Sequence, residues 1–339
     1  MRLKACLFVI AGILLLTMKH SISAGADPAV LAGPAGLPVY DHVVIVVEEN
    51  KNYDQIIGNA KAPHINQVLK AEGASFTKMF GEEHNSQGDY YWMFSGSNQN
   101  VGFVDTVPNA TNNPNYPFTA SNLGQQLIAK SHSFKGYSES LPSIGFMGNT
   151  SPDSLYARKH VPWTSFKNVP NGTTVDTSCN LRFADFPTDF TKLPTVSFVI
   201  PNLINDMHNG DPKNSIPAGD AWLKGHIDTY YQWAKTHNSL LIVTFDENDD
   251  KEHIKGLTDP FVQVISGDER SLDMQNRVAT IFAGAHIKPG EYPEGKGMTH
   301  VNILRTLEAM YRLPKSGAQQ PKAAAGGISD SFIITDVFN

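Results

Sequence analysis

The chain of 339 residues is poor in cysteine, with Cys6 and Cys179 as its two thiols. Cys6 lies in a predicted N-terminal signal, so the mature chain of an exported protein would keep Cys179 alone. A single thiol excludes an internal disulfide in that compartment. It also excludes a zinc site built from several cysteines.

The sequence also lacks any run of basic residues. Charged residues make up 18% of the chain and the formal net charge is −6. Removal of residues 1–24 would take away three basic residues, Arg2, Lys4 and Lys19, and would lower the charge from −6 to −9. Neutralising phosphates requires clustered Lys and Arg, so this composition argues against a nucleic-acid partner.

Long hydrophobic runs are confined to the start of the chain, where Ala5–Met18 follows Arg2 and Lys4. This run is shorter than the roughly 20 apolar residues of a membrane-spanning helix. Small residues follow it up to Ala24, an order typical of a secretory signal. We predict cleavage after Ala24, a secreted or periplasmic protein and no integral membrane association; an uncleaved anchor is the alternative.

Three segments are predicted: a signal peptide at 1–24, a linker rich in Ala, Gly and Pro at 25–39, and a single domain at 40–339. In the domain, β-like runs alternate with helix-like stretches, which predicts an α/β fold with a largely parallel central sheet. The predicted strands are Val43–Val47, Ser75–Phe80, Ser133–Tyr137, Val196–Ile200, Leu240–Phe245 and Val278–Phe282. The predicted helices are Ala62–Ala71, Tyr90–Phe94, Leu123–Lys130, Asp220–Thr236 and Val301–Met310.

Polar clusters follow four of the predicted strands, and His300 stands just before the last predicted helix. The clusters occupy residues 48–50, 82–90, 201–208 and 246–250. Parallel α/β sheets form their sites beyond the carboxyl ends of the strands. The repeated placement therefore predicts one site at this edge of the sheet.

Two of these clusters carry the residues of a candidate metal site. Glu49-Asn50 and Asp246-Glu247 each end an apolar strand, and adjacent carboxylates repel one another unless a cation lies between them. Carboxylate and amide oxygens favour Ca²⁺, Mg²⁺ or Mn²⁺, with Zn²⁺ possible. The alternative is that these acids stabilise helix N-termini.

Ser86 is the candidate nucleophile. It stands at a predicted strand-to-helix turn, with His84 and Asp89 on the same turn, and a serine beside a cation loses its proton more readily. The alternative is an ordinary helix N-cap.

Several motifs together resemble the phosphoesterase family of bacterial acid phosphatases and phospholipases C, in the alkaline phosphatase-like superfamily. They run in order from about residue 41 to residue 312: HVVIVVEENKNYDQIIG, APHINQVL, HNSQGDYYWMFSGS, GYSESLP, YARKHVPW, LPTVSFVIPNLINDMHNGD, SLLIVTFDEND and THVNILRTLEAMY. The resemblance implies a three-layer sandwich and hydrolysis of a small-molecule phosphate ester with the aid of a divalent metal ion.

The resemblance also implies roles for individual residues. The implied metal ligands are Glu49, Asn50, Ser86, Asp246 and Glu247. The implied catalytic residues are Ser86, His208, His300, His84 and Asp89, and the substrate-binding residues are His160 and Asp206.

One departure concerns the sequence around the nucleophile. Many family members have His-Pro-Ser-x-Pro-Asn-Tyr, whereas residues 84–90 here are HNSQGDY. Asp89 therefore stands where an asparagine would contact phosphate, and an ionised Asp89 would repel it.

The reaction most in line with the resemblance is hydrolysis of phosphomonoesters, as in an acid phosphatase, through a phosphoserine. One alternative is a phospholipase C-type phosphodiesterase acting on a phospholipid, which needs an apolar approach. The candidates for that approach are Trp92, Phe94, Trp163 and Phe166, whose other interpretation is core packing. A second alternative is a non-catalytic secreted protein that binds metal or phosphate.

Overall fold

The central sheet of the computed structural model follows the predicted strands. The structure describes residues 36–102, 104–249, 276–295, 297–318 and 328–339. The predicted signal and most of the predicted linker lie outside these residues.

Nine strands form one sheet within the described ranges. They are β1 (His42–Glu48), β2 (Ala74–Phe80), β3 (Phe134–Ser138), β4 (Asn180–Arg182), β5 (Val196–Ile200), β6 (Ser239–Phe245), β7 (Arg277–Gly284), β8 (Gly290–Tyr292) and β9 (Met298–Thr299). Their order is β4-β3-β5-β1-β6-β7-β2-β8, and β9 pairs with β2. β7 runs antiparallel to both of its neighbours, and the other pairings are parallel.

All six predicted strands are confirmed to within about two residues at each end. The three strands that the sequence did not reveal are β4, β8 and β9, and each has only two or three residues. Segments this short contain too few residues for an alternating pattern to be recognised.

The helices are α1 (Tyr53–Ile56), α2 (Lys70–Glu72), α3 (Ser86–Ser95), α4 (Leu123–Ala129), α5 (Pro212–His226), α6 (Asp228–Ala234) and α7 (His300–Met310). The helix predicted at Ala62–Ala71 is a π-helical segment, Ile65–Leu69, that continues into α2. The single helix predicted at Asp220–Thr236 is two helices, α5 and α6. The start of α5 has a sequence signal that the prediction did not use. The Asp211 side chain accepts a hydrogen bond from the backbone N–H of Lys213, and Pro212 is the first residue of the helix.

Contacts divide these helices into two groups, one on each face of the sheet. On one face, Asp220 of α5 accepts hydrogen bonds from the backbone N–H groups of His64 and Ile65, at 3.0 and 2.8 Å. The other group joins α3 to α4 and α7. The fold is therefore a three-layer α/β sandwich, as the resemblance implied.

Burial on both faces explains the apolar composition of the central strands. Every residue from Val43 to Val47 in β1 is fully buried, and β6 is buried throughout. A parallel strand covered by helices on both sides has no solvent face, so its sequence does not alternate.

The aromatic residues considered as an approach for lipid belong to the core. Phe94, Trp163 and Phe166 are at most 2% exposed and Trp92 is 6% exposed. Phe94 packs against Trp163 and Phe166 with ring centroids 6.4 and 5.6 Å apart. They therefore do not form an apolar approach to a site.

The helices that the structure describes include no candidate for a membrane-spanning helix. None of them combines the length and the apolar character of a membrane span.

Replacing Gly136 of β3 with alanine tests the packing of the sheet. The new Cβ would lie 2.0 Å from Cζ2 of the buried Trp163 ring, whereas a Cβ at Gly225 of α5 would meet nothing within 4 Å. We expect Gly136→Ala to lower the free energy of unfolding by about 1–3 kcal/mol. Gly225→Ala is the control, and it should be neutral or stabilising by up to about 1 kcal/mol. Urea unfolding followed by circular dichroism measures both, and equal stabilities would contradict the packing described.

Candidate active site

The ends of β1 and β6 bring Glu49-Asn50 and Asp246-Glu247 together. The strands are neighbours, with Glu48 of β1 opposite Phe245 of β6. Beyond them, the Asn50 side chain donates to Glu247 Oε1 at 2.8 Å, and the Asn50 backbone N–H donates to Asp246 Oδ1 at 3.2 Å. The four residues predicted from the strand ends thus form one buried group.

Ser86 completes this group from a different element. It is the first residue of α3, after β2, and it is 1% exposed. Its Oγ lies 3.1 Å from Glu49 Oε2 and 3.2 Å from Glu247 Oε1. The hydroxyl is therefore held between the two carboxylates.

The backbone is strained at three positions around this group. Asn50, Asn85 and Met207 have positive φ angles of 36°, 102° and 74°. Side-chain-bearing residues avoid this region, and such strain clusters at functional sites. The Asn85 backbone N–H donates to Glu247 Oε2 at 3.0 Å, which is one contact that fixes the turn before Ser86.

The second oxygen of Glu49 contacts the predicted substrate-binding region. Tyr90 donates to Glu49 Oε1 at 2.6 Å, and His160 Nε2 lies 3.3 Å from the same oxygen. Ligand atoms of Glu49, His160 and Asp206 all lie within 4.8 Å of one another. Burial, together with Lys159 and His208, lowers the pKa of His160 well below its ordinary value, so its imidazole is neutral.

The residues at these strand ends suit a hard divalent cation. The buried acceptor atoms that lack a hydrogen-bond donor among the described residues include Asn50 Oδ1, Asp206 Oδ2 and Asp246 Oδ2. Burial raises the pKa of Glu49 to about 8, and burial raises the pKa values of Asp206 and Asp246 well above their ordinary range. Unsatisfied oxygens and carboxyls that resist ionisation both indicate missing positive charge, which a divalent ion bound by these oxygens would supply.

The structure adds charged residues that the sequence did not single out. Lys51 is 2% exposed and its Nζ donates to the Asn50 carbonyl at 2.8 Å. Lys159 Nζ lies 2.8 Å from Asp105 Oδ2, and Asp105 Oδ1 accepts from the Gln87 backbone N–H of α3. Lys51 follows Asn50 and Lys159 precedes His160 in the sequence. This adjacency to predicted site residues is the sequence signal by which the two lysines could have been identified.

His84 and His208 lie at the site. His84 Nδ1 is 2.9 Å from Glu247 Oε2, and the side chain is mostly buried. His208 is partly exposed, its backbone N–H donates to Asp206 Oδ1 at 2.8 Å, and its ring centroid is 6.2 Å from that of His160.

His300 and Asp89 belong to a second buried group, with Glu82. His300 Nδ1 lies 2.7 Å from Glu82 Oε2 and Nε2 lies 2.8 Å from the Phe245 carbonyl. Both partners accept, so both ring nitrogens carry protons; burial opposes this charge, but pairing with Glu82 raises the pKa of His300 overall. Asp89 Oδ1 accepts from the backbone N–H groups of Glu82 and Glu83. His300 thus has no ring nitrogen left for substrate, and it holds the carbonyl directly before Asp246.

The sheet order, the serine at the start of α3 and the acidic strand ends define a mixed α/β protein with an alkaline phosphatase-like fold. A model described as Phosphoesterase family matches residues 65–314. The chain therefore belongs to the Phosphoesterase family, which confirms the resemblance, and it is a hydrolase that acts on phosphate esters.

Similarity to known phosphatases extends over most of the chain. It is 42% identical over 295 residues to phosphatidylinositol-3-phosphatase of Mycobacterium tuberculosis, covering 86% of this chain and 84% of that protein. It is 27% identical over 314 residues to a probable acid phosphatase of Kluyveromyces lactis, covering 88% of this chain and 64% of that protein.

Solved structures share the fold at low sequence identity. A protein in the alkaline phosphatase superfamily from Vibrio parahaemolyticus has a TM-score of 0.55 at 14% identity, covering 90% of this chain and 74% of that one. The lipoteichoic acid synthase LtaP from Listeria monocytogenes has a TM-score of 0.51 at 12% identity, covering 87% and 78%.

The buried carboxyls predict how stability depends on pH. Burial raises the pKa values of Glu49 and Glu83 from 4.5 to about 8. Between these values the folded chain binds more protons than the unfolded chain, so stability should fall as pH rises from about 5 to 8 in chelator. A divalent cation should raise the melting temperature more at pH 8 than at pH 5, because its ligands must be ionised.

Thermal unfolding with EDTA, Ca²⁺ or Mn²⁺ measures this dependence. Glu49→Gln is the matched variant, and it should reduce both the pH slope and the response to the cation. A melting temperature that stays constant or rises with pH in chelator would contradict the electrostatic account.

Proposed function

We propose that the protein is a secreted, metal-dependent phosphatase that hydrolyses phosphomonoesters through a phosphoserine on Ser86. The observation that carries this proposal is the position of Ser86 Oγ, 3.1 Å from Glu49 Oε2 and 3.2 Å from Glu247 Oε1 at the start of α3. A buried hydroxyl between two carboxylates can transfer its proton locally as it attacks phosphorus.

The carboxylates that surround Ser86 would also hold the cation. A divalent ion bound by Glu49, Asn50, Asp246 and Glu247 would lower the pKa of the Ser86 hydroxyl and offset the charge of the substrate phosphate. The oxygen-rich ligand set favours Ca²⁺, Mg²⁺ or Mn²⁺ over Zn²⁺.

Side chains of this protein account for each phosphoryl and proton transfer in the reaction. Ser86 Oγ forms a bond to phosphorus as the bond to the leaving oxygen breaks, and its proton passes to a neighbouring carboxylate. His208 donates a proton to the leaving alcohol. In the second step water attacks phosphorus, His208 takes a proton from the water, and the bond to Ser86 Oγ breaks as that oxygen regains its proton.

His208 is a better general acid than His300 on geometric grounds. His208 is partly exposed beside Asp206 and His160, where a leaving group can reach it. His300 is fully buried, with both ring nitrogens committed to Glu82 and Phe245. We therefore assign His300 and Asp89 to positioning the strand ends.

The named relatives support a phosphomonoester substrate. The Mycobacterium tuberculosis relative is named phosphatidylinositol-3-phosphatase, and the Kluyveromyces lactis relative is named as a probable acid phosphatase. A phospholipid monoester is thus a candidate substrate, and a mildly acidic pH optimum follows if His208 acts as a protonated acid. A purely non-catalytic role is excluded, since the family acts on phosphate esters.

Ser86→Ala tests the nucleophile. It should abolish hydrolysis of p-nitrophenyl phosphate, because the residue that attacks phosphorus is lost. Ser95→Ala, a buried serine of the same helix whose Oγ donates to the Tyr91 carbonyl, is the matched control and should retain activity. The rate of p-nitrophenyl phosphate hydrolysis is measured from pH 4 to 9, with and without EDTA, for the wild type and both variants. Full activity of Ser86→Ala would refute the assignment.

His208→Ala tests the general acid. Removing an acid matters most for a poor leaving group, so hydrolysis of glycerol 3-phosphate should fall about 100-fold or more. Hydrolysis of p-nitrophenyl phosphate, whose leaving group needs little protonation, should fall much less. His237→Ala, at an exposed histidine stacked on Trp233, is the control. An equal loss with both substrates would contradict the role.

A further inference from the structure

A cavity separate from the active site lies at the same edge of the sheet. It occupies about 660 Å³ beyond the carboxyl ends of β3 and β4 and is bounded below by the corner between α5 and α6. This volume falls within the range of pockets that bind small organic ligands. None of the proposed catalytic or metal-binding residues lines it.

The walls of this cavity are mainly apolar. Phe183, Phe186 and Phe190 line it together with Leu141 and Pro187. The three phenylalanines are partly exposed, although Phe183 and Phe186 stack at 5.5 Å and Phe186 meets the Tyr137 ring edge-on at 5.1 Å. Aromatic surface left in contact with water is unfavourable, and an apolar ligand would cover it.

The two oppositely charged residues of the cavity wall, Arg182 and Glu139, are already engaged by other residues of the chain. Arg182 is engaged by Asp185, with contacts of 2.7 and 2.9 Å. The Glu139 carboxylate accepts from the Asn202 backbone N–H and from the Asn205 side chain. Ser138 Oγ is buried and has no hydrogen-bond partner among the described residues, so it can bond to a neutral polar group of a ligand. Ser140, Thr188, His226 and Thr229 are the other polar residues of the lining.

Glu139 connects the cavity to the catalytic region. Glu139 lines the cavity, and its carboxylate fixes Asn202 and Asn205, in the segment that continues into Asp206 and His208. β3 is separated from β1 by β5 alone. Strands are spaced about 4.8 Å apart, so the ends of β3 and β1 lie roughly 10 Å apart. A substrate with an extended tail can span that distance.

We propose that this cavity binds the acyl chain of an amphipathic phosphate ester whose phosphate lies at Ser86. The inference rests on the proposed function and specifies its substrate class. The apolar walls bind the chain, the polar site at the ends of β1 and β6 binds the phosphate, and Glu139 lies between them.

The test compares two esters that differ only in their chains, glycerol 3-phosphate and dioctanoylglycerol 3-phosphate below its micellar concentration. The acylated ester should have a KM lower by about ten-fold or more, since burial of each methylene of its chains in the cavity favours binding. Phe186→Ala, which removes a wall, and Ala184→Trp, which fills the cavity from an exposed position, should each remove most of this preference. Both variants should hydrolyse glycerol 3-phosphate and p-nitrophenyl phosphate at the wild-type rate.

Phe332→Ala is the control, because Phe332 is a partly exposed phenylalanine outside the cavity, and it should keep the preference. Equal KM values for the two esters in the wild type, or a preference that both cavity variants retain, would overturn the inference.

A binding measurement makes the test independent of turnover. Ser86→Ala protein should bind dioctanoylglycerol 3-phosphate, and Ala184→Trp in the same background should bind it about ten-fold more weakly. If the wild type does not hydrolyse p-nitrophenyl phosphate, that result refutes the proposed function but not binding of the acyl chain in the cavity. Tight binding of octanoate without any kinetic preference for the acylated ester would assign the cavity to free fatty acids and overturn the substrate-tail proposal.

Discussion

The concentration of buried negative charge at the ends of β1 and β6 is the constraint on which the site depends. Glu49, Asp246 and Glu247 are fully buried within hydrogen-bonding distance of shared partners, and Asp206 adds a fourth carboxyl. Such a group is costly unless it is protonated or neutralised. The raised pKa values and the unpartnered acceptor oxygens are two expressions of that cost. A bound cation would relieve both, and the same charge would activate Ser86.

The surrounding structure holds this unfavourable arrangement in place. The sheet fixes the directions of β1 and β6, while positive φ angles at Asn50, Asn85 and Met207 direct the chain at three turns. A protonated His300 bonded to Glu82 and to the Phe245 carbonyl secures the end of β6 from behind. Backbone strain and buried charge destabilise a preorganised site, and packing and hydrogen bonds elsewhere in the protein compensate for them.

Much of the scaffold and of the acidic group could be predicted from the chain. Apolar runs in β1, β5 and β6 are long enough to identify, and residues directly after a strand must lie at its end. That reasoning predicts that Glu49, Asn50, Asp246 and Glu247 meet if β1 and β6 are neighbours, which they are. It did not reveal β4, β8 and β9, whose two or three residues carry no periodic signal, or the break between α5 and α6.

The functions of the histidines could not be separated by sequence, because His84, His160, His208 and His300 all lie near polar clusters or in family-like motifs. Their different surroundings, from partly exposed for His208 to doubly bonded and buried for His300, arise from elements distant in the chain. The sequence by itself determined the α/β class, the six longer strands of the sheet and the acidic residues at the ends of β1 and β6, since these depend on local hydrophobic patterns. Only the tertiary structure decided which charges meet, which histidine is accessible, and where an apolar cavity opens, since each depends on contacts between segments that are distant in the chain.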